Sequence, residues 1–190
     1  MNIEECQELI ELSHVDGDSQ IIHRIMNKIA PPNIVEHVDG LSMLRQVVMN
    51  NPHADRQLGI NATGKYMYAS DGYRVVVIED ADTPKGMYDV EGVKIKDIDD
   101  ELSDDALNTL LKYEYNLVGY FDMSDVTMLV EDGERMYAVI DDYRFHHNHL
   151  FETLMYQTGV PTFKHENIFL FSLGDVCVYL TEMTEYSKNG

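Results

Sequence analysis

A helix-spaced segment followed by strand-like runs occurs three times in this chain of 190 residues, and that order limits the folds open to it. In the first unit Ile34, Val35, Val38, Leu41, Leu44, Val47 and Val48 recur at helical spacing, with Gly40 placed to break the run in two and Asn50-Asn51-Pro52 to end it. A short apolar run at residues 57–61, a Thr63-Gly64 turn, two β-rich runs around Asp71-Gly72 and an extended piece over residues 87–95 follow. The second unit opens with a helix from Ser103 through Ala106, Leu107, Leu110 and Leu111 to about Tyr113. Strands over 117–121, 126–130 and 136–140 come next, the last two joined by Asp132-Gly133. The third has Leu150, Phe151, Leu154 and Met155 on a helix ending at Gly159, then Pro161, then strands over 168–171 and 176–180 turning at Gly174-Asp175. Each unit buries one sheet face against its helix and none has a sufficient core alone. The expected class is therefore α+β, with the units packed as one body.

Residues 66–78 hold the clearest local signal. Asp71-Gly72 sits between two β-prone runs, and glycine accepts the positive φ of a tight two-residue turn. The two-residue period places Tyr66 and Tyr68 on one face and Met67 and Ala69 on the other. Ahead of the first unit, Ile3, Cys6, Leu9 and Ile10, then Ile21, Ile22, Ile25, Met26 and Ile29, predict two short helices that stop at Pro31-Pro32. The resulting division is an N-terminal helical cap over 1–32, an α+β domain over 33–142, a partial third repeat over 143–183 and a flexible tail over 184–190.

Charge narrows the partners. With 34 acidic against 14 basic residues the formal charge is −20, which disfavours nucleic acid or an anionic membrane and suits solubility or a basic protein surface as partner. Cys6 and Cys177 are far apart and have no ligand-like spacing, and no run approaches the roughly 18 apolar residues that span a bilayer, so a cytoplasmic setting with reduced thiols is expected.

Three constellations could carry chemistry. Asp97, Asp99, Asp100, Glu101, Asp104 and Asp105 concentrate six carboxylates in nine residues. They read as the negatively charged first turn of a helix or as an acidic surface for a partner, and they lack the central glycine of a calcium loop. His146, His147 and His149 stand beside Asp141 and Asp142. Adjacent helical residues diverge by about 100 degrees, so this spacing favours polar residues at a helix start over a zinc site, and neither metal nor cofactor is expected. Cys177 lies within an apolar strand, where a thiol acts as a small hydrophobe. No nucleophile, base and orienting group share a credible spacing, which points away from an enzyme.

The eight residues Tyr68-Ala69-Ser70-Asp71-Gly72-Tyr73-Arg74-Val75 resemble the strand-turn-strand of bacterial sliding clamps, the β subunit of the replicative polymerase. That motif commonly reads alanine, threonine, aspartate, glycine, histidine, arginine and an aliphatic residue. Asp71, Gly72 and Arg74 match, and Ser70 and Tyr73 are conservative departures. Asp142-Tyr143-Arg144 is similar to the Asp-Tyr-Arg at which clamp domains hand over to the next. The likeness covers about residues 33–182. It implies helices lining one face of curved antiparallel sheets, a role for Asp71, Gly72, Tyr73 and Arg74 in DNA contact or in bracing the sheet, and an outer surface for polymerase peptides.

The helices expected to line such a clamp carry Arg45 and Lys112 but no cation from His149 to Thr158, against Asp104, Asp105 and Glu152. Contact with a protein, such as a DNA polymerase or another replication protein, is thus favoured over direct DNA binding, and a ring would require a homo-oligomer. The expected function is a non-enzymatic, clamp-like replication accessory. The alternative is an acidic DNA mimic that occupies a basic nucleic-acid-binding surface.

Overall fold

The computed structural model describes residues 38–50, 59–97, 104–131 and 135–183. The two N-terminal helices, Ser103, the Asp132-Gly133 turn and the tail lie outside them. Helix α1 (Gly40–Met49) leads into β1 (Ile60–Ala62), β2 (Tyr66–Ser70), β3 (Arg74–Glu79), β4 (Gly86–Tyr88) and β5 (Lys94–Lys96). Helix α2 (Asp104–Lys112) is followed by β6 (Asn116–Phe121), a 3-10 turn (Met123–Asp125), β7 (Thr127–Glu131), β8 (Arg135–Ile140) and β9 (Tyr143–His146). Helix α3 (His147–Leu154) then precedes β10 (Val160–His165), β11 (Ile168–Leu173) and β12 (Val176–Thr181). The protein is mixed α+β.

Every strand pairing among these residues is antiparallel. A nine-stranded sheet runs β5-β4-β1-β2-β3-β12-β11-β10-β6, and β7-β8-β9 form a second sheet. At the middle of the large sheet β3 lies against β12, with Val76 opposite Val178. About this seam the order reads alike in both directions, β3-β2-β1-β4 one way and β12-β11-β10-β6 the other. A helix followed by three sheet-ordered strands therefore occurs twice, as α1-β1-β2-β3 and as α3-β10-β11-β12.

The expected third copy does not have this form. Helix α2 packs on the opposite face of the sheet, where Leu107 joins Tyr68, Val77 and Tyr179, and the strands after it are divided between the two sheets. The last unit is also richer than expected, because residues 160–165, which the sequence reading assigns to no strand, form β10. Proline is tolerated there beside a register shift at Thr162/Phe163.

The larger core lies between the first sheet face and a layer made of α1, α3 and the small sheet. Met43, Leu44 and Val47 of α1 meet Met67, Ala69 and Val76, while Phe145 of β9 meets Phe169 and Phe171 edge-on at centroid distances of 4.9 and 6.0 Å. Because β3 is covered on both faces, Val76 is buried under α1 and Val77 on the α2 side. Two-sided burial explains the unbroken run Val75-Val76-Val77-Ile78, which does not alternate with polar residues. The first part of the helix-spaced run, with Ile34 and Val35, lies outside the described residues, and Gly40 stands where the described helix begins. It is the first residue of α1, capped by the Asp39 carboxylate, which accepts from the Ser42 N–H at 3.1 Å. No helix of the described residues is long and apolar enough to cross a membrane.

Candidate functional site

The β2–β3 turn is tight, but its two central residues are Gly72 and Tyr73 instead of Asp71 and Gly72. The Asp71 N–H donates to the Arg74 carbonyl at 3.2 Å, and Gly72 takes φ of 93°. A positive φ confined to the first central residue is the geometry of a type II′ hairpin. Asp71 is thereby moved from the tip to the closing pair, and it is buried. Its Oδ1 accepts from the N–H groups of Tyr73 and Arg74 at 3.1 and 2.9 Å, and the Ser70 hydroxyl accepts from the Gly72 N–H at 3.2 Å. The aspartate holds the turn from inside.

Strand alternation then sends Arg74 to the same face as Val76, into the layer that contains α3. The side chain is only 2% exposed. Its Nη1 donates to Glu152 Oε2 of α3, and its Nη2 lies 3.5 Å from Asp71 Oδ2. Glu152 Oε1 accepts from Asn50 Nδ2, at the end of α1, at 3.3 Å. His149, one turn before Glu152, places Nε2 3.3 Å from Asp71 Oδ2. Two segments far apart in sequence, the Asp-Gly turn and the histidine-rich helix start, thus form one site.

Around this arginine the histidines stack. His146, at the N-cap of α3, lies over His149 with centroids 4.5 Å apart, and His147 stacks on His146 at 5.1 Å. The half-exposed Tyr73 ring lies 6.3 Å from the His149 ring. Burial first, then the Arg74 guanidinium and the neighbouring His146, hold the His149 imidazole down at about 4 against the opposing pull of Asp71. Burial and His147 lower His146 as well. Both rings are neutral at pH 7. Arg74 Nε and His146 Nδ1 are buried without a hydrogen-bond partner, and Asp71 Oδ2 lies 3.5 Å from Arg74 Nη2 and 3.3 Å from the neutral His149.

A polar cleft of about 540 Å3 opens over these groups, with Asn50, Tyr73, Asn148 and Glu152 at its walls. Its chemistry is that of a closed ion network. Arg74 is shared between two carboxylates, so its charge is compensated internally, and an exposed phosphate would find it occupied. Among the described residues that line the cleft there is no serine, threonine or cysteine. Among the described residues no group of three or more His, Cys, Asp or Glu side chains is placed to hold a metal ion. Cys177 belongs to the opposite sheet face with Tyr68 and Tyr179, and burial raises its thiol.

The acidic run is elsewhere. Asp97 is exposed and paired with Lys94 at 2.5 Å. Asp104 and Asp105 begin α2, away from Arg74, while Asp99, Asp100 and Glu101 lie outside the described residues. A second, more apolar groove of about 320 Å3 runs between α1 and β1–β4, lined by Leu41, Ile60, Met67, Ile78 and Tyr88. Sequence reasoning missed Glu152 as a partner of Arg74. The signal was available: an arginine in phase with the buried Val76 requires a buried carboxylate, and His149 and Glu152 lie three residues apart on the helix flank next to Leu150 and Leu154. The chain matches no protein-family model, no curated protein and no solved structure.

Proposed function

We propose that this protein is a clamp-like, non-enzymatic scaffold that works through protein–protein contacts, and that its setting is DNA replication in the cytoplasm. The observation that carries this reading is the two-fold arrangement of helix-plus-three-strand units about the β3/β12 seam, with α1 and α3 together on one side of the sheet. The two helices touch through Asn50–Glu152 and through the Tyr156 hydroxyl, which donates to Gln46 Oε1 at 3.3 Å. The hairpin that resembles the clamp motif leads directly into that seam. The replication assignment rests on the resemblance at residues 68–75.

The partner in this reading is a protein. Helices α1 and α3 contribute one Lys or Arg, Arg45, against one carboxylate, Glu152, and Arg74 is internal. Affinity for a polyanion grows with the number of phosphates neutralised, and these helices offer little to neutralise them with. The test combines mass in solution by sedimentation with binding of clamp-binding peptides from replicative polymerases. A ring-sized oligomer that binds such peptides is the expected result, and a monomer that ignores them rejects the reading.

The charge of −20 favours a second reading, occupation of a basic DNA-binding surface by carboxylates. Capture experiments across a salt series separate the two. Mimicry requires retention of a nucleic-acid-binding protein at low salt, its release at high salt, and its displacement by free DNA.

A further inference from the structure

The junction between the β2–β3 turn and α3 stacks His146 on His149 beside a buried arginine, a packing that disfavours charge on both imidazoles. Arg74 already supplies one buried cation, Asp71 and Glu152 divide it between them, and His146 and His149 stack face to face within 4.5 Å. We propose that this junction is a pH-operated latch, closed while His146 and His149 are neutral and opened by their protonation, which releases the Gly72-Tyr73 turn from α3. The latch is independent of the clamp reading.

The titratable groups facing the pair come from two elements. The turn brings Asp71 and Arg74, and α3 with its cap brings His147 and Glu152, while α1 contributes the neutral Asn50. One imidazolium at His149 would be attracted by Asp71 and repelled by Arg74. Two would also repel each other across the stack, and His146 Nδ1 has no buried acceptor to compensate a second proton. When the turn opens, both rings regain water and their ordinary proton affinity. The sign follows from this: the folded His149 binds protons more weakly than the open one, so acid favours opening, from about pH 6.5 down to about 4. Gly72, in a backbone region open to glycine and with no atom near the position of a Cβ, gives the turn a pivot.

The reporters are on the molecule. The N–H groups of Tyr73 and Arg74 are held by Asp71 Oδ1, so their hydrogen exchange reads turn opening, while the Val178 N–H, at the β3/β12 seam, reads global unfolding. Exchange measured by NMR on the full chain, corrected for intrinsic rates, should give an opening equilibrium for Tyr73 and Arg74 that rises by up to about tenfold per pH unit per imidazole below pH 6.5, with Val178 unchanged. His149→Gln, which keeps a donor for Asp71 but does not titrate, should flatten this dependence. Three results would overturn the latch: a flat response in the natural protein, an undiminished slope in His149→Gln, or loss of Val178 protection in step with Tyr73. If His149→Gln does not fold, the ring-proton titration of His149 decides. A midpoint near 6.5 with Tyr73 and Arg74 still protected overturns the latch, and a depressed midpoint that tracks their exposure supports it.

Discussion

At the scale of single residues, Arg74 is the group on which most depends. Its guanidinium lies between the buried Asp71 and the partly exposed Glu152, and removal of one member of a largely buried ionic group is costly because the others are left uncompensated. We expect Arg74→Ala to lower unfolding stability by about 3–5 kcal/mol in urea titrations. Arg74→Lys should recover little, because one ammonium does not reproduce a fork that reaches Asp71 and Glu152 together. A loss below about 1 kcal/mol for the alanine variant would show that the site is wetter than its burial indicates.

At the scale of elements, α1 is placed by a glycine at its first residue. A Cβ on Gly40 would lie 2.5 Å from Ile78 Cγ2 and 2.9 Å from Val176 Cγ2, both on branched side chains in the strands that form the seam. Gly40→Ala improves helix propensity yet should lose about 1–3 kcal/mol through overpacking. The discriminating comparison is Gly40→Ala with Ile78→Leu, which removes the branched Cγ2 methyl from the same strand position and should recover part of the loss if the clash is the cause. The same element shows why some of the fold was legible and some was not. Helical spacing of Leu44 and Val47 and the alternation of Met67 and Ala69 are local properties, and both elements are found where these residues stand. The start of α1 at Gly40 was hidden because the reasons for the glycine are neighbours from β3 and β12. Strand β10 was hidden likewise, since its pairing with β6, with a register shift between Thr162 and Phe163, depends on a distant segment. For the candidate site, Asp71 and Arg74 and the three histidines were each visible as residues of interest. Their meeting was not, since nothing within either segment encodes the distance to the other.

At the scale of the whole molecule, the excess of carboxylates is spread over a structure whose few cations are partly used internally, as Arg74 is within the core and Lys164 is between Glu182 and the rings of Tyr143 and Phe169. Self-repulsion at −20 opposes the compact state, and salt screens it over a distance of about 10 Å at 0.1 M. The thermal midpoint should therefore rise by a few degrees between low salt and about 0.5 M sodium chloride, as measured by scanning calorimetry. A fall would mean that specific ion pairs such as Lys94–Asp97 outweigh the general repulsion.

The seam between β3 and β12 also sets a condition on when the chain can fold. Residues 74–78 find their neighbours at 176–180, so a chain emerging from the ribosome carries an exposed, valine-rich edge at β3 until residues 176–180 have been made. Large separation between paired strands slows folding, and the waiting edge is open to other chains throughout. Truncation before Val176 should thus yield an aggregating product and not a smaller soluble one, which a sedimentation profile of the shortened chain would reveal. Strand β12 is the one that joins the sheet's two halves into a single body, and synthesis delivers it long after β3.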